Sequence, residues 1–239
     1  MSTFDSAASG QGISLRQAAL IAGLGLLIIT FTAPFAEFYV FPTLVIPGDI
    51  GRTAQNIMTN QVLYLAGLFA YLITYICDVV VAWALYVLLI PVNRSLALLS
   101  AWFRLVYTVI ALVALLKLVL AYRILITPDY ATIFGTDQLN AQVHLLLNSY
   151  RYEWGIGLIL FGIHLGLLGF LVYGSNYIPR ILGILLAIAG LGYLITVLGR
   201  YIFPDANLGF LFITFLFEPV FMIWLLFKGW KIQQPTEHF

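Results

Sequence analysis

Apolar stretches of about 18 or more residues recur along this chain, each long enough as a helix to cross a hydrocarbon core about 30 Å thick. A water-soluble fold of 239 residues has no interior large enough to hide so many of them. In lipid the backbone must satisfy its own hydrogen bonds, which leaves helices as the economical solution. The pattern predicts an all-α, polytopic transmembrane bundle with spans at 18–36, 62–89, 96–121, 152–173, 178–198 and 208–226. The six spans form one domain over 18–230, flanked by tails at 1–17 and 231–239. The stretch from Ala18 to Ala33 reads as a retained span, because Pro34 and Phe35 interrupt the small-residue site that a signal-peptide cleavage needs.

Composition excludes several classes. Hydrophobic residues make up 62% and charged residues 9%, with a mean hydropathy of +1.02; soluble domains carry roughly 45 to 50% and about 25%. The net charge of +1 and the lack of a basic run leave nothing to neutralise nucleic-acid phosphates. Cys77 is the only cysteine, so there is neither a disulfide framework nor a thiolate cage.

An even number of spans puts both termini on one side. The tails and the two shortest connections hold Arg16, Arg94, Arg180, Lys228 and Lys231, against Arg52, Arg123, Arg151 and Arg200 on the opposite face. Lys and Arg counts set orientation, so N-in, C-in is expected, by a margin of one residue. Of the two long connections, the first predicts a short helix capped by Asp49, with Ile50, Ala54 and Ile57 on one face as an interfacial helix would carry them. In the second, Thr136 is the expected cap of an amphipathic stretch from Asp137 to Leu147.

Ionisable groups at membrane depth are costly unless paired or hydrated, which makes each a functional candidate. Counted from the short-turn ends at about 1.5 Å per residue, Asp78 lies at about 20 Å, Arg104 at about 14 Å, His164 at about 16 Å and Glu218 at about 15 Å. The four form a candidate polar cluster in one layer. Asp78 shares a helix face with Tyr71 and Tyr75, and Arg104 shares one with Tyr107 and Thr108. A tight turn joins their helices as antiparallel neighbours, so an Asp78 to Arg104 bridge is predicted. Pro219, next to Glu218, removes a backbone donor and predicts a kink beside the acid, a geometry that suits proton exchange there. Gly162 and Gly166 read as a packing seam, with His164 on the opposite face, the one that also carries Glu153. Glu37, Lys117, Glu153 and Arg200 fall near the span ends, where interfacial pairing accounts for them. Structural pairing is the competing reading of the whole cluster, since an ion pair merely offsets the bilayer penalty.

Reaction motifs are lacking: no GxSxG, HExxH or phosphate-cradling loop occurs. His144 and His164 stand twenty residues apart on or near one helix, which rules out joint haem ligation if that helix is continuous. Arg104 opposes a cation held by Asp78, His164 and Glu218, so no metal or other cofactor is expected.

The segments AEFYVFPTLVIPGD from Ala36, CDVVVAWALYVLLIPVNRSLALLSAWFRLV from Cys77 and GIHLGLLGFLVYGSNYIPRILGILLAIAGLGYL from Gly162 resemble the bacterial membrane-protein family of domain of unknown function 4386. The resemblance implies a multi-pass plasma-membrane protein and assigns no reaction, cofactor or site residue. The resulting expectation is a non-enzymatic bilayer protein whose midplane cluster binds or moves a proton, ion or small polar solute. The alternatives are a structural or assembly partner of another membrane protein and, further off, an intramembrane enzyme.

Overall fold

The computed structural model describes residues 12–203 and 208–232. The tails beyond them, with Asp5, Glu237 and His238, and the turn holding Asp205 lie outside the described residues. Within these bounds the chain is helical without strands, and six helices are long and apolar enough to cross a membrane. They are span 1, Leu15–Leu44; span 2, Gln61–Leu89; span 3, Arg94–Ile126; span 4, Thr136–Gly174; span 5, Arg180–Ile202; and span 6, Ile213–Lys231.

Helix starts follow local chemistry. Ser14 and Gln17 form a capping box, the Gln17 amide donating to Ser14 Oγ at 3.2 Å and the Ser14 amide to Gln17 Oε1 at 2.9 Å. Asn93 caps span 3 by accepting from the Leu96 amide at 3.0 Å. Asp49 caps the helix Ile50–Thr59 as its sequence predicts, accepting from the Arg52 amide at 2.8 Å. That helix is not laid on the bilayer by its apolar face, however. Thr53, Ala54 and Ile57 are buried, and the helix packs on spans 2, 3 and 4. Its amphipathic stripe serves protein packing, which demands the same spacing as an interfacial helix.

Two other expectations are corrected and a third takes a different form. Span 1 does not end at Ala36: it continues through Pro34 into a π-helical stretch, Phe35–Val40, and a last turn, Phe41–Leu44. Thr136 is not a cap; Gly135, at φ 71°, takes that position, and the amphipathic stretch and fourth span form one unbroken helix of 39 residues. In span 6 the irregularity expected beside Glu218 is a change of helix type rather than a break inside one α-helix. A 3-10 segment, Gly209–Leu216, gives way to an α-helix, Phe217–Lys228, so the proline sits in the first α-turn, where its missing N–H is harmless.

Each span packs on its neighbours in the chain, and span 6 returns to span 1, closing a ring. Spans 4 and 5 approach most closely. A Cβ on Gly169 would stand 2.5 Å from the Gly183 carbonyl oxygen, and one on Gly190 would stand 2.5 Å from that of Gly162. The seam is thus Gly162 and Gly169 against Gly183 and Gly190, with two turns between contacts; the Gly166 backbone nitrogen also faces Gly190, 2.9 Å from where a Gly190 Cβ would stand, although a Cβ on Gly166 itself would point into open space. Outside the ring Phe31, Trp102, Phe170 and Phe227 are more than 60% exposed, an apolar belt suited to hydrocarbon.

Candidate functional site

Polar groups gather inside the ring at mid-depth. Arg104, projecting from span 3, is 1% exposed. Its Nε donates to Asp78 Oδ1 of span 2 at 2.9 Å, and Nη2 donates to the same oxygen. Antiparallel spans joined by a tight turn put these residues at one level, as their spacing predicts. The guanidinium also lies 5.2 Å from the centre of the Phe161 ring on span 4, a cation–π contact.

His164 of span 4 completes this side. Its Nδ1 lies 2.9 Å from the Ser100 carbonyl oxygen and its Nε2 3.3 Å from Arg104 Nη1. An arginine only donates, so Nε2 accepts, and the ring proton sits on Nδ1 facing Ser100. The hydrogen bonding therefore describes a neutral imidazole, held by span 3 at both nitrogens.

Glu218 reaches the cluster from the far side of the ring. Its Oε1 is 3.8 Å from Arg104 Nη1, beyond hydrogen-bond distance, and its side chain is 17% exposed. Span 6 carries it in the first turn of its α-helical part.

The secondary candidates separate. Tyr107 is buried with its ring 4.8 Å from Phe161, next to the cluster. Tyr75 is 1% exposed, and its hydroxyl meets no partner in good hydrogen-bond geometry. Tyr71 turns from Asp78 to span 1, where its hydroxyl donates to Glu37 Oε2 at 2.5 Å. Glu37 is half-buried toward the long-loop end of span 1, where the π-helical stretch packs on span 2 and pairs it with Tyr71. Glu153 stays apart from the cluster and pairs with Lys117 at 3.4 Å, both side chains about a third exposed.

Sequence reasoning missed Ser100 and Phe161. Ser100 precedes Arg104 by one helical turn and Phe161 precedes His164 by nearly one, a spacing that puts each on its neighbour's face without marking it as a site residue. Among the described residues no three His, Cys, Asp or Glu side chains converge as a metal site. His144 and His164 share one continuous helix, about 30 Å apart along it, too far to ligate a single haem.

Residues 21–229 match the model of a domain of unknown function, DUF4386. The chain belongs to that family. It is similar also to an uncharacterized protein of Archaeoglobus fulgidus, 38% identical over 159 residues, which cover 66% of this chain and 81% of that protein. No solved structure matches the chain. The matched region runs from span 1 into the end of span 6 and contains every member of the cluster.

Proposed function

We propose that this member of the DUF4386 family is a multi-pass protein of the cell membrane, with both termini cytoplasmic, that binds a proton at Glu218 and moves it or couples it to a small polar solute. One observation carries the reading: a single guanidinium lies between two carboxylates inside the ring. Asp78 takes two donors of Arg104, while Glu218 stands 3.8 Å away with no hydrogen bond to it. His164 is neutral by its hydrogen bonding and adds no positive charge. With both acids ionised the cluster carries one uncompensated negative charge at membrane depth, an unfavourable state that a proton on Glu218 relieves.

His164 then has a positioning part. Its Nε2 accepts from Arg104 and its Nδ1 serves Ser100, so the ring orients the guanidinium and offers Glu218 no relay. The excess of Lys and Arg on the tails and short turns supports the orientation.

Infrared difference spectra of the purified protein at pH 5 and pH 9 test the proposal. A protonated-carboxyl band should appear at low pH and vanish in Glu218→Gln, with folding intact and pH-dependent flux in liposomes lost. The rival reading, in which the cluster only ties helices together, draws support from the tight Asp78 to Arg104 pair and the Phe161 contact. It wins if no such band titrates and the protein copurifies with a stoichiometric membrane partner.

A further inference from the structure

A second polar group lies between the cluster and the long-loop face, the end of the ring that carries the helices Ile50–Thr59 and Pro128–Phe134. Along span 2, Tyr71, Tyr75 and Asp78 follow one another at nearly one turn each and cover about 10 Å of depth. Tyr71 is bound to Glu37 at the outer end of this file. The rings of Tyr71 and Tyr75 lie parallel with centres 6.0 Å apart, and that of Tyr150 on span 4 is 5.7 Å from Tyr71.

Among the described residues the hydroxyls of Tyr75 and Tyr150 and the indole nitrogen of Trp154 are buried with no partner in good hydrogen-bond geometry, while Tyr150 stands near enough to Tyr71 and Tyr75, and Trp154 to Tyr107, to interact with them. Tyr75 and Tyr150 are 1% and 4% exposed. Polar atoms at such depth that lack a well-placed partner are ordinarily satisfied by internal water. Tyr107 is buried beside the cluster, its ring 4.8 Å from that of Phe161, which in turn contacts Arg104, and this places its hydroxyl-bearing side chain between the file and Glu218 in the path proposed below. Toward the short-turn face Ala82, Leu85, Leu89, Ala97 and Leu168 are at most 3% exposed and apolar, the Ser100 hydroxyl among them is engaged with His164, and Tyr86 adds a second hydroxyl lining this side.

We propose that protons reach Glu218 from the long-loop face alone, along a hydrated file of hydroxyls with Glu37 at its mouth and Tyr71, Tyr150, Tyr75 and Tyr107 within. This inference rests on the reading of Glu218 as a proton site and adds its sidedness and its gatekeeper. Glu37 is the entry carboxylate. It accepts from Tyr71 of span 2, and Tyr150 and Arg151 of span 4 and Arg200 of span 5 are the other titratable groups within electrostatic range of it. Its π-helical stretch is a helix irregularity frequent at functional sites.

The transfer breaks and forms only O–H bonds. A proton from the medium joins the Glu37 carboxylate and is passed on. Each hydroxyl or water takes a proton on a lone pair as it releases its own inward, and the Glu218 carboxylate ends as the acid. One proton leaves the medium and one is gained at Glu218.

The experiment uses the full chain in sealed liposomes, with orientation read from a protease-cleavable C-terminal tag. The pH is jumped on one side while the carboxyl band that Glu218→Gln removes is followed in time. The band should follow a jump on the long-loop face and ignore one on the short-turn face. Tyr75→Phe, which deletes the hydroxyl and keeps the ring, and Glu37→Gln should each slow the response roughly 100-fold. Their thermal midpoints should match the parent's. A response to the short-turn face, or unchanged rates in both variants, overturns the sided file. A parent protein with no Glu218 band on either side instead overturns the proton-site reading beneath it.

Discussion

Arg104 and Asp78 are joined through two guanidinium nitrogens on one carboxylate oxygen, with both side chains at most 3% exposed. Removal of either partner leaves the other charge buried. Asp78→Ala and Arg104→Ala are each expected to destabilise the protein by roughly 3 to 5 kcal/mol, and the double variant by less than the sum. Denaturant unfolding in detergent across the four proteins measures the coupling. Additive losses would mean that the pair contributes nothing jointly.

His164 should behave as an acceptor for Arg104. His164→Phe leaves Arg104 Nη1 without that acceptor and is expected to cost about 1 to 3 kcal/mol, while His164→Gln, whose amide oxygen accepts, recovers part of it. Nitrogen NMR of labelled histidine should find a neutral ring protonated at Nδ1. A ring carrying its proton on Nε2, or on both nitrogens, contradicts the arrangement.

Close approach of spans 4 and 5 depends on missing side chains. Gly169→Ala forces a methyl to 2.5 Å from a backbone oxygen and is expected to lower stability by about 1 to 3 kcal/mol. Gly155→Ala, on the same helix with open space around it, should be neutral or stabilising by up to about 1 kcal/mol. Thermal unfolding of the two variants separates packing from helix propensity, and equal effects would remove the seam as the cause.

For topology, reporters fused after Phe239 and inserted in the connection from Asp129 to Asp137 should lie on opposite sides of the membrane, the first in the cytoplasm. Activity of both on one side is incompatible with six crossings.

The sequence by itself determined the helical class, the six helices long and apolar enough to cross a membrane, and the common level of the charges along them. Apolar length set against bilayer thickness is a one-dimensional quantity, and Asp78, Arg104, His164 and Glu218 take their level from counting along a helix. It also determined one pairing, because a connection as short as Pro-Val-Asn-Arg-Ser leaves spans 2 and 3 no choice but to be antiparallel neighbours.

What only the tertiary structure decided is which way the faces turn. Lipid tails and a protein interior are equally apolar, so hydropathy marks the side of a span that meets a partner far less clearly than it does in water. The return of span 6 to span 1, which brings Glu218 within 3.8 Å of Arg104, carries no signal along the chain. Neither does the π-helical extension of span 1, which carries the helix past the expected end at Ala36 and delivers Glu37 to Tyr71. Ser100 and Phe161 became visible as site residues only when spans 3 and 4 were set side by side, since nothing in a serine or a phenylalanine announces the charge it will meet.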